Sequence, residues 1–339
     1  MRAIKTTYAD ILRTLGTVLA LSFGVTSAAV AKEAVEAASS CLASGPLKVA
    51  TSHPPLEIQQ LTRMFADVCP QVDVSWLRSS DARILREQRS DDNSQYQVDV
   101  IILSDATRLA RLMIDDRLVP LDMLDEIALI EAARGRNNQY IGISVSPLAI
   151  VMRDDGVPPT RWLDLPRVVN PDRIAIPSPS SSDSARTTLA ALSEASPEIA
   201  QMIRDVSGID NGLKGGHRDA LLSLLSGQAD AALSLAPLVH RAGLNAEGLL
   251  THFPEDGVPA RVRSVAIMES VDNRPAAEEF VRFLLSKKAQ AAMIENGYHP
   301  VRIDLARWQV KSVGYSVPLL GGDPIRTLRW LSDNADFVN

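Results

Sequence analysis

Residues 98–121 read VDVIILSDATRLARLMIDDRLVPL, and this stretch decides the fold class. The run Val98–Leu103 is almost continuously apolar, as in a strand buried on both faces of a sheet. Ser104 and Asp105 follow it as capping residues for a helix predicted over Ala106–Asp116. A buried strand that passes directly into a capped helix is typical of a parallel α/β sheet.

The alternation of strand and helix continues on both sides of this stretch. Strands are predicted at Leu47–Thr51 and Val72–Leu77, around a helix over Leu56–Val68 with apolar residues at helical spacing. The other predicted elements are Ala82–Arg89, Tyr140–Arg153, Arg173–Ile176, Ser184–Glu194, Asp219–Ser226, Ala229–Leu235, Val262–Met268, Ala276–Leu285, Lys288–Glu295 and a helix near Ile325–Asn334. The pattern predicts an α/β protein, and 339 residues suggest about two domains.

The N-terminal residues have the order of a secretory signal peptide. Basic residues precede the apolar run Leu15–Val25, and small residues follow it up to Ala31. An apolar run of this length is too short to span a bilayer. The sequence therefore predicts a signal peptide over 1–31, a leader over 32–45 and export to the periplasm.

Composition and charge exclude several classes of protein. The net charge of −6 argues against a nucleic-acid partner, and an aromatic content of 4% argues against a surface for stacking bases or sugars. Two cysteines exclude a cysteine-rich metal site, and no cofactor or metal is expected. After export, Cys41 and Cys69 are candidates for a disulfide, because both are predicted at the N-terminal edge of the sheet. The alternative is two unpaired buried thiols.

Five segments resemble, in order, the sequence pattern of solute-binding proteins of ABC transporters, the family that includes iron, phosphonate, thiamine and molybdate binders. They are Val98–Leu121, Trp162–Leu165, Ile174–Ser184, Gly227–Ala231 and Phe280–Arg302. The resemblance implies a type II-like periplasmic-binding-protein fold of two lobes, each a mainly parallel sheet flanked by helices. Lobe 1 would comprise 46–147 plus 263–339 and lobe 2 would comprise 148–262, with two crossover segments as the hinge.

Candidate ligand-binding residues follow from topology, because ligands of open α/β sheets bind beyond the carboxyl ends of strands. The residues at these ends are Ser52, His53, Ser104, Asp105, Ser180, Ser181, Ser182, Asp183, Ser184 and Ser234. The serines of 180–184 precede a predicted helix, where hydroxyl and amide donors suit a small oxyanion, and Arg186 adds a positive charge. In the alternative interpretation this loop is flexible and merely caps the helix, as Ser104 and Asp105 cap theirs.

Three further residues are candidates for ligand contact. His217 and Arg218 precede a predicted helix and offer a cationic contact or a solvent-exposed pair, and Tyr298 is predicted near the hinge or in packing. Ferric iron is disfavoured, because iron binders of the family resemble one another in adjacent second-lobe tyrosines, and none follows Ser234. Sugars are disfavoured because the predicted loops lack an aromatic platform.

The sequence thus predicts a monomeric, non-enzymatic receptor that carries a small anionic solute (a phosphonate, phosphate ester or carboxylate) to an ABC permease in the inner membrane. An alternative is a periplasmic sensor that partners a membrane histidine kinase or chemoreceptor. A remote alternative is an exported hydrolase with a Ser–His pair, although the chain has no G-x-S-x-G motif.

Overall fold

The computed structural model describes residues 41–89, 96–122, 127–209, 212–243, 248–305, 319–320 and 333. The predicted signal peptide, most of the predicted leader and most of the predicted helix near 325–334 lie outside the described residues. Within the described ranges, no helix is both long enough and apolar enough to cross a membrane.

Strands and helices alternate along most of the chain. The strands are β1 (Gly45–Thr51), β2 (Val72–Arg78), β3 (Val100–Leu103), β4 (Ile141–Arg153), β5 (Ile174–Pro177), β6 (Leu213–Lys214), β7 (Ala231–Leu235), β8 (Leu249–His252), β9 (Val258–Ile267) and β10 (Leu319–Leu320). The α-helices are α1 (Pro55–Ala66), α2 (Asp81–Gln88), α3 (Ala106–Ile114), α4 (Leu165–Val168), α5 (Asp183–Ala195), α6 (Pro197–Ser207), α7 (His217–Leu225), α8 (Ala236–Arg241), α9 (Arg274–Leu284) and α10 (Lys287–Glu295).

The strands pair in the order β2-β1-β3-β9-β4-β7-β5-β6. The three strands at each end of this order, β2-β1-β3 and β7-β5-β6, are parallel to one another. Strands β4 and β9 are long and are antiparallel to each other and to their neighbours β7 and β3 in this order. The predicted α/β fold is confirmed, with β4 and β9 as the two crossover segments.

Among the described residues each lobe contains two apolar clusters, and the larger cluster is called the first core in the first lobe and the second core in the second lobe. In the first lobe, Phe65 of α1 packs edge-on against Phe280 of α9 at a centroid distance of 5.0 Å, and both rings are fully buried. In the second lobe, Trp162 is fully buried and donates from Nε1 to the carbonyl of Gly257 at 2.7 Å. The lobe boundaries at 147/148 and 262/263 remain a prediction. Strand β10, predicted in lobe 1, pairs with β9 at Val258–Pro259, and Val258 belongs to the second core.

Three helices of the second lobe, α4, α6 and α8, were not predicted from the sequence. Helix α6 carries a clear start signal, since Ser196 accepts from the amide of Ile199 and Pro197 stands at the first helical position. Helix α8 has only six residues, which is too short for an apolar periodicity to be recognised.

Cys41 and Cys69 form a disulfide, so this prediction is confirmed. Their Cα atoms are 5.4 Å apart, and Cys69 is fully buried in the first core. The bond ties the segment before β1 to the end of α1.

We expect reduction of this disulfide to lower the free energy of unfolding by about 3–4 kcal/mol, because the closed loop restricts the unfolded chain. Denaturant titration with and without dithiothreitol measures the loss. The double variant Cys41→Ser/Cys69→Ser serves as the control and should not respond to dithiothreitol. Equal stability of the oxidised and reduced wild type would contradict the prediction.

Candidate functional site

The carboxyl end of β1 brings a histidine and a glutamate together. His53 precedes Pro54 and Pro55, which begin α1, and Glu57 lies in the first turn of that helix. The four-residue spacing places both side chains on one face, with His53 Nδ1 2.8 Å from Glu57 Oε2. Both side chains are buried, so their charges must be balanced by neighbouring groups.

The Glu57 carboxylate is the point where the two lobes meet. Oε2 accepts from Arg263 of β9 at 3.1 Å, and Oε1 accepts from the Tyr298 hydroxyl at 2.9 Å. Oε1 also accepts at 2.9 Å from Arg241 of α8, which belongs to the second lobe. The two guanidinium groups stack on the Tyr298 ring, at 5.2 Å for Arg241 and 5.5 Å for Arg263.

These contacts set the protonation states of the pair. Burial acts to raise the pKa of Glu57, but the hydrogen bond with His53 and the charge of Arg263 lower it to about 2. Burial and the charge of Arg263, whose Nη1 lies 2.6 Å from Nδ1, lower the pKa of His53 to about 4. At neutral pH the carboxylate is therefore charged and the imidazole is neutral.

Arg261 adds a positive charge beside this cluster. It stands two residues before Arg263 on β9, so both side chains lie on the same face of the strand. Burial and repulsion by Arg263 lower the pKa of Arg261 to about 10, and it stays charged at neutral pH. Its buried Nε has no hydrogen-bond partner, and no carboxylate among the described residues lies within 4.0 Å. Arg241 and Arg263 contact Glu57, and the charge of Arg261 acts on both of these arginines, so three guanidinium groups lie in this region.

A second contact between the lobes joins the starts of α3 and α5. Both helices begin with the pattern Asp-x-x-Arg, as Asp105–Arg108 and Asp183–Arg186. Arg108 donates to Asp183 at 2.5 Å, and Arg186 donates to Asp105 at 3.0 Å. Each lobe therefore supplies one carboxylate and one guanidinium group. Each arginine also lies near the aspartate of its own helix, at 3.5 Å for Arg108–Asp105 and 3.8 Å for Arg186–Asp183.

The predicted serine loop lies at this contact, since Asp183 faces the first lobe. The Ser182 hydroxyl accepts from the amide of Ala185 and therefore caps α5, and it is 3.1 Å from the Ser184 hydroxyl. Ser181 donates to the carbonyl of Gly215, and the Ser180 hydroxyl pairs with that of Ser178 at 2.8 Å. The capping interpretation describes Ser182, and ligand contact by these serines remains a prediction.

The predicted residues at the carboxyl ends of β1 and β3 form hydrogen bonds within the protein. Ser52 and Ser104 share a hydrogen bond of 2.8 Å, which joins the carboxyl ends of β1 and β3. Asp105 caps α3 by accepting from the amide of Thr107 at 2.9 Å, as predicted for this residue.

At the start of α7 the predicted residues differ in exposure. Ser234 donates to the carbonyl of His217 at 3.3 Å, and both residues are buried. Arg218 is exposed. Ligand contact remains a prediction for all of the residues at the ends of β1, β3 and β7 and at the start of α7.

Sequence reasoning missed Glu57, Arg241, Arg261 and Arg263. The signal for Glu57 was its four-residue distance from His53. The signal for the two β9 arginines was their alternation in an otherwise apolar strand, since Arg261 and Arg263 flank Val262. Arg241 meets Glu57 across 184 residues, a contact that no local pattern indicates.

The structure also bears on a Ser–His nucleophile pair and on a metal site at the cysteines. The His53 ring contacts Glu57 and Arg263, and among the described residues no serine hydroxyl bonds to it, so a Ser–His nucleophile pair has no support at this histidine. Cys41, Cys69 and Glu279 bring potential metal-ligating atoms together, but the sulfur atoms are joined in the disulfide.

The family model of the bacterial extracellular solute-binding proteins matches residues 74–299, which is more than half of the chain. This chain belongs to that family. The family consists of binding proteins, in agreement with the expectation that the chain is not an enzyme. No curated protein matches the sequence of this solute-binding protein.

Solved structures share the fold of this solute-binding protein. A ferric binding protein from Campylobacter jejuni superposes with a TM-score of 0.73 at 16% identity, over 86% of this chain and 98% of that chain. FutA2 from Synechocystis superposes with a TM-score of 0.71 at 18% identity, over 87% and 98%. AfuA from Actinobacillus pleuropneumoniae, with exogenous fructose-6-phosphate bound, has a TM-score of 0.65 at 16% identity, over 87% and 98%. At these identities the similarity establishes the fold.

The buried histidines predict a loss of stability in mild acid. The pKa of His53 is lowered from 6.5 to about 4 and that of His217 to about 3, so the unfolded chain binds more protons below pH 6.5. The free energy of unfolding therefore has its full value above pH 6.5 and decreases toward pH 4. At pH 5 it is lower than at pH 7 by about 2 kcal/mol or more. Denaturant titrations across this range measure the fall, and the exposed His240→Gln variant should show the same slope. A flat profile from pH 7 to pH 5 would contradict it.

The two ion pairs between the lobes, Arg108–Asp183 and Arg186–Asp105, lead to a prediction on the shape of the ligand-free protein. Replacing both acids, in Asp105→Asn/Asp183→Asn, keeps a capping side chain at 105 but removes both cross-lobe ion pairs. We expect a larger radius of gyration by small-angle scattering, because more molecules are open. The control Asp230→Asn breaks an ion pair with Arg173 inside the second lobe and should leave the radius unchanged. An unchanged radius in the double variant would show that the pairs do not hold the lobes together.

Proposed function

We propose that this solute-binding protein captures a small anionic solute between its two lobes and delivers it to an ABC permease in the inner membrane. The observation that supports the proposal is the excess of positive charge where Arg241, Arg261 and Arg263 approach Tyr298. Arg241, Arg261 and Arg263 come from both lobes and from a strand that links them, and Arg261 has no carboxylate partner among the described residues. A bound anion would supply the missing negative charge.

The same charges explain how a solute would favour closure. Burial and repulsion by Arg263 and Arg241 lower the pKa of Arg261, so the protein does not fully balance the positive charges of this region by itself. An anion between them removes this repulsion and binds the closed form better than the open form. A ligand at 100 times its dissociation constant stabilises the form that it binds by about 2.7 kcal/mol.

The candidate solutes are phosphonates, phosphate esters and carboxylates. AfuA, which has a similar fold, has been solved with fructose-6-phosphate, an anionic solute of this kind. The Campylobacter jejuni protein with a similar fold is described as a ferric binding protein, but a ferric ion fits this chain poorly. Three guanidinium groups repel a cation, and the Tyr298 hydroxyl is already bonded to Glu57 and Arg241.

Export to the periplasm and the permease partner follow from the same proposal. The family is extracellular, and the basic, apolar and small-residue order of 1–31 supports an exported protein. A solute receptor of this fold delivers its cargo by changing between open and closed shapes, which a membrane partner distinguishes.

We expect Arg261→Gln to weaken binding of the anionic solute tenfold or more, because it removes the guanidinium that has no carboxylate partner. A thermal-shift screen of phosphonates, phosphate esters, carboxylates and neutral sugars finds the solute, and isothermal titration calorimetry then gives the dissociation constants. Arg111→Gln, an equal charge change on the exposed face of α3, is the matched control and should bind as the wild type does. Equal affinity of the Arg261→Gln variant, or binding of neutral sugars alone, would refute the proposal.

A further inference from the structure

The start of α7 differs from the starts of α3 and α5. Asp105 and Ser182 cap their helices with side-chain oxygens, whereas α7 follows Gly216 and has no side-chain cap. The first amides of a helix lack intrahelical partners and carry partial positive charge. A Cβ atom on Gly216 would lie 3.8 Å from the Ser182 hydroxyl oxygen, so the starts of α5 and α7 adjoin at this glycine.

His217, the first residue of α7, is a buried polar group without a hydrogen bond. His217 is only 4% exposed, and neither Nδ1 nor Nε2 of its ring has a hydrogen-bond partner. The backbone of Leu233 and Ser184 lies close to the ring, but without the geometry of a hydrogen bond. Buried side-chain nitrogen atoms are nearly always hydrogen-bonded in native proteins, so an imidazole with two unpartnered nitrogens indicates a ligand.

Arg261 joins this region to the cleft. Its charge, together with burial, lowers the pKa of His217 to about 3, so the ring is neutral and presents one donor and one acceptor nitrogen. Arg261 itself has an unpartnered Nε. Two acidic groups face these residues. Asp219 Oδ2 would lie 3.7 Å from a Cβ atom on Gly216, at the helix start, and the charge of Asp81 acts on Arg261.

We propose that His217, Arg261 and the free amides at the start of α7 form the subsite for a phosphoryl group, the PO₃ group of a phosphate monoester or a phosphonate. This inference rests on the proposed function, since it names the charged end of the solute that the cleft holds.

The arrangement of the donors favours a phosphoryl group over a carboxylate. A planar carboxylate has two oxygens, and the guanidinium of one arginine satisfies both through two parallel hydrogen bonds. A phosphoryl group has three oxygens that point in different directions. They match the helix start and the imidazole of α7 together with the guanidinium of Arg261 on β9. The acceptor nitrogen of the neutral His217 ring suits a phosphoryl group that retains one proton.

The test is a titration series with the full chain and the His217→Leu variant. The probes are glucose 6-phosphate, glycerol 3-phosphate, 2-aminoethylphosphonate and inorganic phosphate, with succinate and citrate as carboxylates. We expect the wild type to bind a phosphoryl probe at least tenfold more tightly than either carboxylate. The ester and phosphonate probes then distinguish the two sources of the group.

His217→Leu should weaken phosphoryl binding at least tenfold and leave the ligand-free melting temperature unchanged or raised, because the lost imidazole made no hydrogen bonds. His217→Gln, which keeps a donor and an acceptor, should restore part of the affinity. The matched control is His252→Leu, which breaks a hydrogen bond of 2.7 Å to the carbonyl of Pro159. It should lower the melting temperature and leave binding unchanged.

Each contrary outcome has a distinct meaning. If His217→Leu lowers the melting temperature and keeps the affinity, His217 is structural and the subsite is wrong. If carboxylates bind as tightly as phosphoryl probes and His217→Leu does not alter either, the phosphoryl assignment falls while the proposed anion cleft stands. If no anionic probe binds the wild type, both proposals fail.

Discussion

The buried carboxylate of Glu57 is the constraint on which the arrangement of the cleft depends. A carboxylate removed from water is stable only when other groups supply hydrogen bonds and positive charge, and breaking a buried ion pair costs about 3–5 kcal/mol. Here Arg263, Tyr298 and Arg241 supply them from a crossover strand, the loop after α10 and the second lobe. One carboxylate therefore connects a crossover strand, the loop after α10 and helix α8 across the two lobes.

The fold was largely predictable, because its signals are local. The apolar run that ends at Leu103 became β3, and the Ser-Asp pair after it became a helix start. The strand β4 was predicted in full from extended apolar sequence, whereas the prediction for β9 began at Val262, four residues after its start at Val258. Short elements such as α8 were missed, because six residues do not show a period, and their helical state is set by packing around Val239.

The candidate site was predictable only where topology determines it. The rule about carboxyl ends of strands placed Ser52 beside Ser104 and brought the serine loop to the gap between the lobes. It gave no information on which charges meet across the gap, since Glu57 and Arg241 are 184 residues apart and make their contact only in the folded chain. The identity of the binding groups is thus a property of tertiary structure.

The Asp-x-x-Arg pattern at the starts of α3 and α5 has a consequence for the hinge. When the lobes separate, Arg108 and Arg186 lose the aspartates of the opposite lobe, yet each retains one on its own helix within 4 Å. Separation of the lobes therefore costs the two cross-lobe ion pairs, but each guanidinium keeps a carboxylate beside it. A hinge balanced in this way responds to a modest difference in ligand affinity, because a shift from one shape to the other requires only that difference in binding free energy.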